Sequence, residues 1–215
     1  QHLSLVELAF TGVSACAACL GIFFAAKRCL PPPPDKADLI FTASCLKDLA
    51  NAVVVGPLAT TALLDMLRDP AAVLPCGDLH LLSLHAPPTA HTALGLTCGF
   101  FLSDCVCLAA HHTEMRRGLG GMGPYVTMWG HHLLSLLIWP YALLRSRLSV
   151  FAVYFMATEL TNIGQNIFWL ASKGGLAPGL AAPLGLLWLL SFLLVRILPL
   201  PWLSYAYLDG LWLKA

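Results

Sequence analysis

Apolar residues run along this chain in six stretches, residues 3–26, 39–67, 92–110, 125–144, 148–171 and 180–212, with polar or proline- and glycine-rich punctuation between them. Each provides roughly the 20 mostly apolar residues that an α-helix needs to cross a hydrocarbon core about 30 Å thick. The pattern predicts an all-α, polytopic membrane helix bundle of six or seven transmembrane helices. The count turns on the last stretch, which is too long for one straight span and is interrupted by Pro199 and Pro201. A proline inside a helix removes a ladder donor and crowds the turn before it, so a kink or a break into two pieces is expected there. Loops are marked by Pro31-Pro32-Pro33-Pro34, by residues 70–88, by the run from Gly118 to Pro124, and by Lys173-Gly174-Gly175. The first stretch far exceeds the roughly 7–15 residue apolar core of a signal peptide and has no basic start, so it reads as a true helix. Residues 1–34 then form a first transmembrane helix with its proline-rich linker, and residues 35–215 form the main membrane domain.

Composition sharpens the solvent. Of 215 residues, 58% are hydrophobic and 11% charged, against about 45–50% and about 25% in a soluble domain, which excludes most water-soluble folds. The formal net charge of +1 supplies no basic field for a phosphate backbone, so nucleic acid is excluded as a partner. Cys16, Cys19, Cys45, Cys98, Cys105 and Cys107 lie within apolar stretches, where a thiol packs as a small hydrophobe, and only Cys29 and Cys76 sit near loops. Cys16 and Cys19 have redox-pair spacing without the strand and helix of a thioredoxin-like unit, and read as structural. Lys27, Arg28, Lys36, Arg116, Arg117 and Lys173 follow the first, third and fifth stretches, whereas Arg68, Arg145, Arg147 and Lys214 fall on the opposite side. That bias puts the first group and the glycine-rich loop on the cytoplasmic or matrix side.

The polar exceptions inside the stretches carry the candidate chemistry. A charge at bilayer depth costs about 2.5–3.5 kcal/mol on insertion scales, so such residues face a bundle interior or a watery cavity. Lys47, Asp48 and Asn51 lie in the second stretch, Asp104 in the third, His131 and His132 in the fourth, Glu159, Asn162, Gln165 and Asn166 in the fifth, and Arg196 in the sixth. Glu159, Asn162 and Asn166 at i, i+3 and i+7 share a helix face, as do Asp104 and His111. His131 and His132 diverge by about 100°, so one imidazole can face a cavity while the other bonds a neighbouring helix. The plainer alternatives are a histidine pair that joins helices, and salt bridges from Lys47 and Arg196 to Asp48, Asp104 or Glu159. A zinc site from His112, His131 or His132 with Glu159 is chemically reasonable, but the eight histidines form no ligand-spaced cluster, and no metal is expected. No nucleophile elbow, phosphate loop or dinucleotide fingerprint occurs.

The runs Phe101-Leu102-Ser103-Asp104, Trp129-Gly130-His131-His132-Leu133-Leu134-Ser135, the segment from Thr158 to Asn166, and Arg196-Ile197-Leu198-Pro199 occur in this order on successive stretches. The arrangement resembles the TLC-domain family of membrane proteins over about residues 35–213. That family includes ceramide synthases, translocon-associated proteins and smaller lipid-regulating proteins. The resemblance to ceramide synthases implies acyl transfer from acyl-CoA, with His131 and His132 as the reactive pair, Asp104 as the nearby acid, and no cofactor. Two differences separate the chain from those enzymes. Met128-Trp129-Gly130 stands where acidic residues usually precede the pair, and Glu159 with Asn162 stands where a His-Asp motif follows. The Glu and Asn pattern looks more like the smaller lipid-regulating members. The leading expectation is an integral membrane protein that binds lipid, or regulates membrane lipid composition, through a polar-lined cavity. Lys47, Asp48, Asn51, Glu159, Asn162, Asn166 and Arg196 are its expected lining. The alternatives are an acyltransferase and an accessory subunit of a larger complex. Membrane lipids, and with them partner membrane proteins, are the expected partners, in the endoplasmic reticulum or another organelle membrane.

Overall fold

A computed structural model describes residues 4–31, 36–68, 86–145, 148–173 and 178–212, and among them every regular element is helical. Most of the linker at Pro31 to Pro34, the 70–88 loop up to residue 85 with Cys76, the Gly174-Gly175 pair, and Arg147 and Lys214 lie outside the described residues.

Helix α1 (Leu5–Cys29) opens on a capping box: Ser4 Oγ accepts from the Glu7 N–H, and the Glu7 carboxylate accepts from the Ser4 N–H at 2.8 Å. It closes on Lys27 and Arg28, which suit the negative end of the helix dipole. Helix α1 packs mainly on α3 (Pro88–Ala110) and also on α2 (Lys36–Leu67). The α1–α3 seam depends on glycine, since a Cβ at Gly99 would lie 2.3 Å from the Gly12 carbonyl oxygen. Backbones this close are the way membrane helices gain packing when lipid is as apolar as leucine.

Helix α2 is the hub of the bundle. It contacts α1, α3, the short α4 (His112–Gly118), α6 (Ser149–Ala157) and α7 (Leu160–Lys173). Val55, Ala59 and Ala62 on α2, Leu94 on α3, and Val153 and Met156 on α6 are fully buried in the largest apolar core. Helix α5 (Met122–Leu144) packs on α3, whereas α7 packs on α2 and α8 (Ala181–Phe192). No comparable packing joins α5 to α7 or α8 among the described residues. A gap between those walls follows.

Four helical segments, Leu5–Cys29, Ala37–Leu67, Pro88–Ala110 and Ala181–Tyr205, are long and apolar enough to cross a membrane by themselves. The chain is thus a polytopic, all-α membrane bundle. Helix α5, with 23 residues, is long enough as well. The stretch 148–171 is divided rather than continuous. The N–H groups of Glu159, Thr161 and Asn162 bond carbonyls three residues back, at 2.9–3.1 Å, which tightens the chain into a turn between α6 and α7. The hydroxyls of Thr158 and Thr161 bond the Phe155 and Thr158 carbonyls in the same place.

The last stretch breaks its α-ladder where the prolines predicted. A π-helical segment, Leu193–Ile197, separates α8 from α9 (Leu200–Trp212), and the Leu198 N–H reaches back to the Leu193 carbonyl. The glycine-rich run is shorter as a loop than expected. Gly118 ends α4, and Met122, Gly123 and Pro124 already belong to α5. Gly120 and Gly121, at φ +91° and +132°, make the turn between, in a region that glycine enters without steric cost.

Candidate functional site

The gap between α5 and the α7–α8 wall is a cavity of about 720 Å³. Its floor is built by Asp48 of α2 and by Phe100, Phe101 and Asp104 of α3. Along α5 it is bordered by Pro124, Thr127 and His131, spaced i, i+3 and i+7 on one face, and all three are exposed. The opposite wall carries Glu159, Asn162, Gln165, Asn166 and Trp169, with Phe192 and Arg196 above them. That exposed edge of α5 forms a slot along the cavity.

Two charge clusters flank the space. In the first, the Lys47 ammonium is wholly enclosed and donates to Asp104, with Asp48 Oδ1 at 3.4 Å. Asp104 also approaches His132: its Oδ2 is 3.2 Å from Nδ1, close enough to pair but not aligned as a hydrogen bond. The His132 ring stacks on Phe101 at 4.6 Å between centroids, and Phe100 lies 5.0 Å from the Lys47 nitrogen. Aromatic faces thus shield the floor charges from lipid and add cation–π attraction to the ammonium.

In the second cluster Arg196 reaches across from the π-helical segment to the α6–α7 turn. It donates to Thr161 Oγ1, the Thr158 carbonyl and Asn162 Oδ1, each at 3.0 Å, and lies 3.6 Å from Glu159. Asn162 in turn donates to Glu159 at 2.7 Å, so the buried carboxylate has both a cation and an amide. Tyr154 of α6 donates to the Val195 carbonyl on the same segment. The reason is local: Val195 is four residues before Pro199, which has no N–H to offer it.

Asp48, Asp104, His131, His132, Glu159, Asn162, Asn166 and Arg196, from five separate sequence stretches, meet on this one cavity. Lys47 and Asn51 do not line it. Lys47 lies behind Asp104, and the Asn51 amide nitrogen is buried without a partner. His111 leaves the face of Asp104, because it caps α3 and turns towards Phe23, 5.6 Å away. His112 stands exposed on α4 beside Thr113, so it cannot join His131 and Glu159 around a metal. Among the described residues no three His, Cys, Asp or Glu side chains converge as ligands. Sequence reasoning missed Phe101, Tyr154, Thr161, Trp169 and Phe192. The prolines were the available signal for Tyr154, since each marks a carbonyl that needs a new donor. The aromatic residues gave none, because rings in an apolar stretch look the same whether they face lipid or a cavity.

A helical membrane bundle with buried, paired charges around a cavity defines the class of this protein. The chain belongs to the TLC-domain family, which matches it over residues 49–214, from within α2 almost to the end of the sequence. No curated protein and no solved structure matches it.

Proposed function

We propose that this protein binds membrane lipid in the cavity between α5 and the α7–α8 wall, and through that binding regulates membrane lipid composition. The supporting observation is the slot: exposed Pro124, Thr127 and His131 open the bundle side onto a chamber floored by Asp104 and His132. A chamber with charged groups on its floor, opening along Pro124, Thr127 and His131 beside exposed leucines of α8, fits a molecule with one polar and one apolar end. Its volume of about 720 Å³ falls within the range of ligand pockets, about 300–1,000 Å³. The remaining chain length of a lipid can lie along exposed Leu186, Leu190 and Leu194 of the neighbouring wall. Native mass spectrometry of the purified protein tests this: a lipid adduct is expected on the wild type and lost in Thr127→Trp, which fills the slot from an exposed position. A wild type without lipid, or an adduct indifferent to the tryptophan, rejects the reading. A stable assembly with many other proteins points instead to the accessory-subunit role.

A second reading, lipid acyl transfer, draws on the His132–Asp104 approach of 3.2 Å. A neutral imidazole can accept a proton or an acyl group, and a carboxylate beside it can orient the ring. Acyl-CoA is then a substrate and no cofactor takes part. Turnover of acyl-CoA that disappears in His132→Ala and His131→Ala, with the lipid adduct retained, supports it, and absence of turnover in the wild type removes it. We place the protein in the endoplasmic reticulum or another organelle membrane, which fractionation tests directly.

A further inference from the structure

The cavity's charges do not cancel. Lys47 and Arg196 face three carboxylates, Asp48, Asp104 and Glu159, and both cations are already engaged by them. Arg196 also spends its donors on Thr161, Asn162 and the Thr158 carbonyl. No cation on the described wall is left to meet an incoming anion.

Buried acceptors on the wall are left open, beside the unpartnered Nδ1 of His132. Asn166, 3% exposed, lines the cavity, and its Nδ2 donates to the Asn162 carbonyl at 2.9 Å. That bond settles which end of the amide is nitrogen, because a carbonyl can only accept. Asn166 Oδ1 then has no partner, whereas Asp48 Oδ1 has the Lys47 ammonium at 3.4 Å without an aligned hydrogen bond. Buried acceptors without donors are rare in folded proteins and call for a group that supplies a proton.

Resting on the lipid-binding reading, we propose that the cavity selects a phosphate-free lipid head that donates hydrogen bonds, of which the hydroxyl of a diacylglycerol is the simplest form. A phosphate would add negative charge to a region with surplus carboxylate and weak dielectric screening. It would also bring oxygens to Asn166 Oδ1, which needs a donor. A hydroxyl meets both demands, with its chains leaving through the slot along α5.

The test uses dioleoylglycerol and dioleoylphosphatidate, which share their chains and differ by the phosphate. Purified full chain is incubated with equal amounts of each, and retention is read by native mass spectrometry above the background of Thr127→Trp. Retention of the diacylglycerol is expected to exceed that of the phosphatidate by about tenfold, the ratio that one charge-sized difference in binding free energy supports. Asp48→Asn is expected to narrow the ratio by admitting phosphatidate, and Asn166→Leu to narrow it by losing the diacylglycerol. Equal or stronger retention of phosphatidate by the wild type overturns the selectivity and leaves lipid binding standing. Retention of neither lipid above the background overturns both.

Discussion

Lys47 shows how a charge is kept inside this bundle. Its side chain is 0% exposed and its ammonium is shared between Asp104 and Asp48. Lys47→Met removes the cation and leaves two carboxylates near each other without compensation. Breaking a buried pair in this way costs about 3–5 kcal/mol, whereas replacing both partners with apolar groups is often neutral. Thermal unfolding in mild detergent should therefore show Lys47→Met strongly destabilised, and Lys47→Met combined with Asp104→Leu restored in large part. A double variant no more stable than the single one would show that the ion pair is not what the lysine supplies. The residue types of this cluster were visible in the sequence, because charge within an apolar run is conspicuous. The set of partners was visible as well, as salt bridges from Lys47 and Arg196 to Asp48, Asp104 or Glu159, and those bridges form; which cation takes which carboxylate was not legible. Whether Asp104 turns to Lys47, to His132 or to lipid depends on the rotation of three helices, which a single chain's periodicity does not encode. For the same reason Lys47 and Asn51 were expected on the cavity wall and do not line it.

At the scale of elements, Pro199, Val195 and Tyr154 form one device. Proline withholds the donor, the chain rewinds into a π-helical segment over Leu193–Ile197, and the Tyr154 hydroxyl serves the Val195 carbonyl. Tyr154→Phe should destabilise the protein by about 0.5–1.5 kcal/mol, the net contribution of one hydrogen bond. In a Pro199→Ala background the new N–H can take that role, and Tyr154→Phe should become nearly silent. A double-mutant cycle by chemical unfolding measures the difference, and simple additivity would refute the coupling. The α1–α3 seam makes a second demand. Gly99→Ala places a methyl 2.3 Å from the Gly12 carbonyl, so the helices must separate, at about 1–3 kcal/mol for such overpacking. Faster hydrogen exchange confined to α1 and α3 is the expected signature. The proline break was legible because its cause is covalent. The division at Thr158 and Glu159 was not, because the apolar pattern continues across it and the turn arises from three-residue backbone bonds and threonine hydroxyls. Helix α4 escaped notice too, being only seven residues long and largely polar.

Across the whole molecule the helices divide into those that hold the bundle and one that faces outward. None of the most apolar window of Ala181–Tyr205 is buried inside the bundle, and Leu187 is 66% exposed. Leu187→Arg should then impair membrane insertion by up to about 2.5–3.5 kcal/mol, depending on its depth. The charge pairs around Asp104 should be untouched, since Leu187 does not line the cavity. A translocation assay reads the first effect and unfolding of the inserted fraction reads the second. The membrane class and the order of the helical stretches came through from hydropathy alone, because a bilayer imposes length and apolarity on any segment that crosses it. The cavity did not, because it is a failure of two walls to touch, and patterning reports only the contacts a helix prefers.

The slot along Pro124, Thr127 and His131 also sets how a bound molecule would come and go. A site that opens through a helix-lined flank exchanges its occupant with neighbouring lipids in the plane of the bilayer, without a passage through water. Occupancy then follows the mole fraction of that lipid in the surrounding membrane, and residence is insensitive to aqueous solubility. Such a protein would sample the composition of its own leaflet continuously.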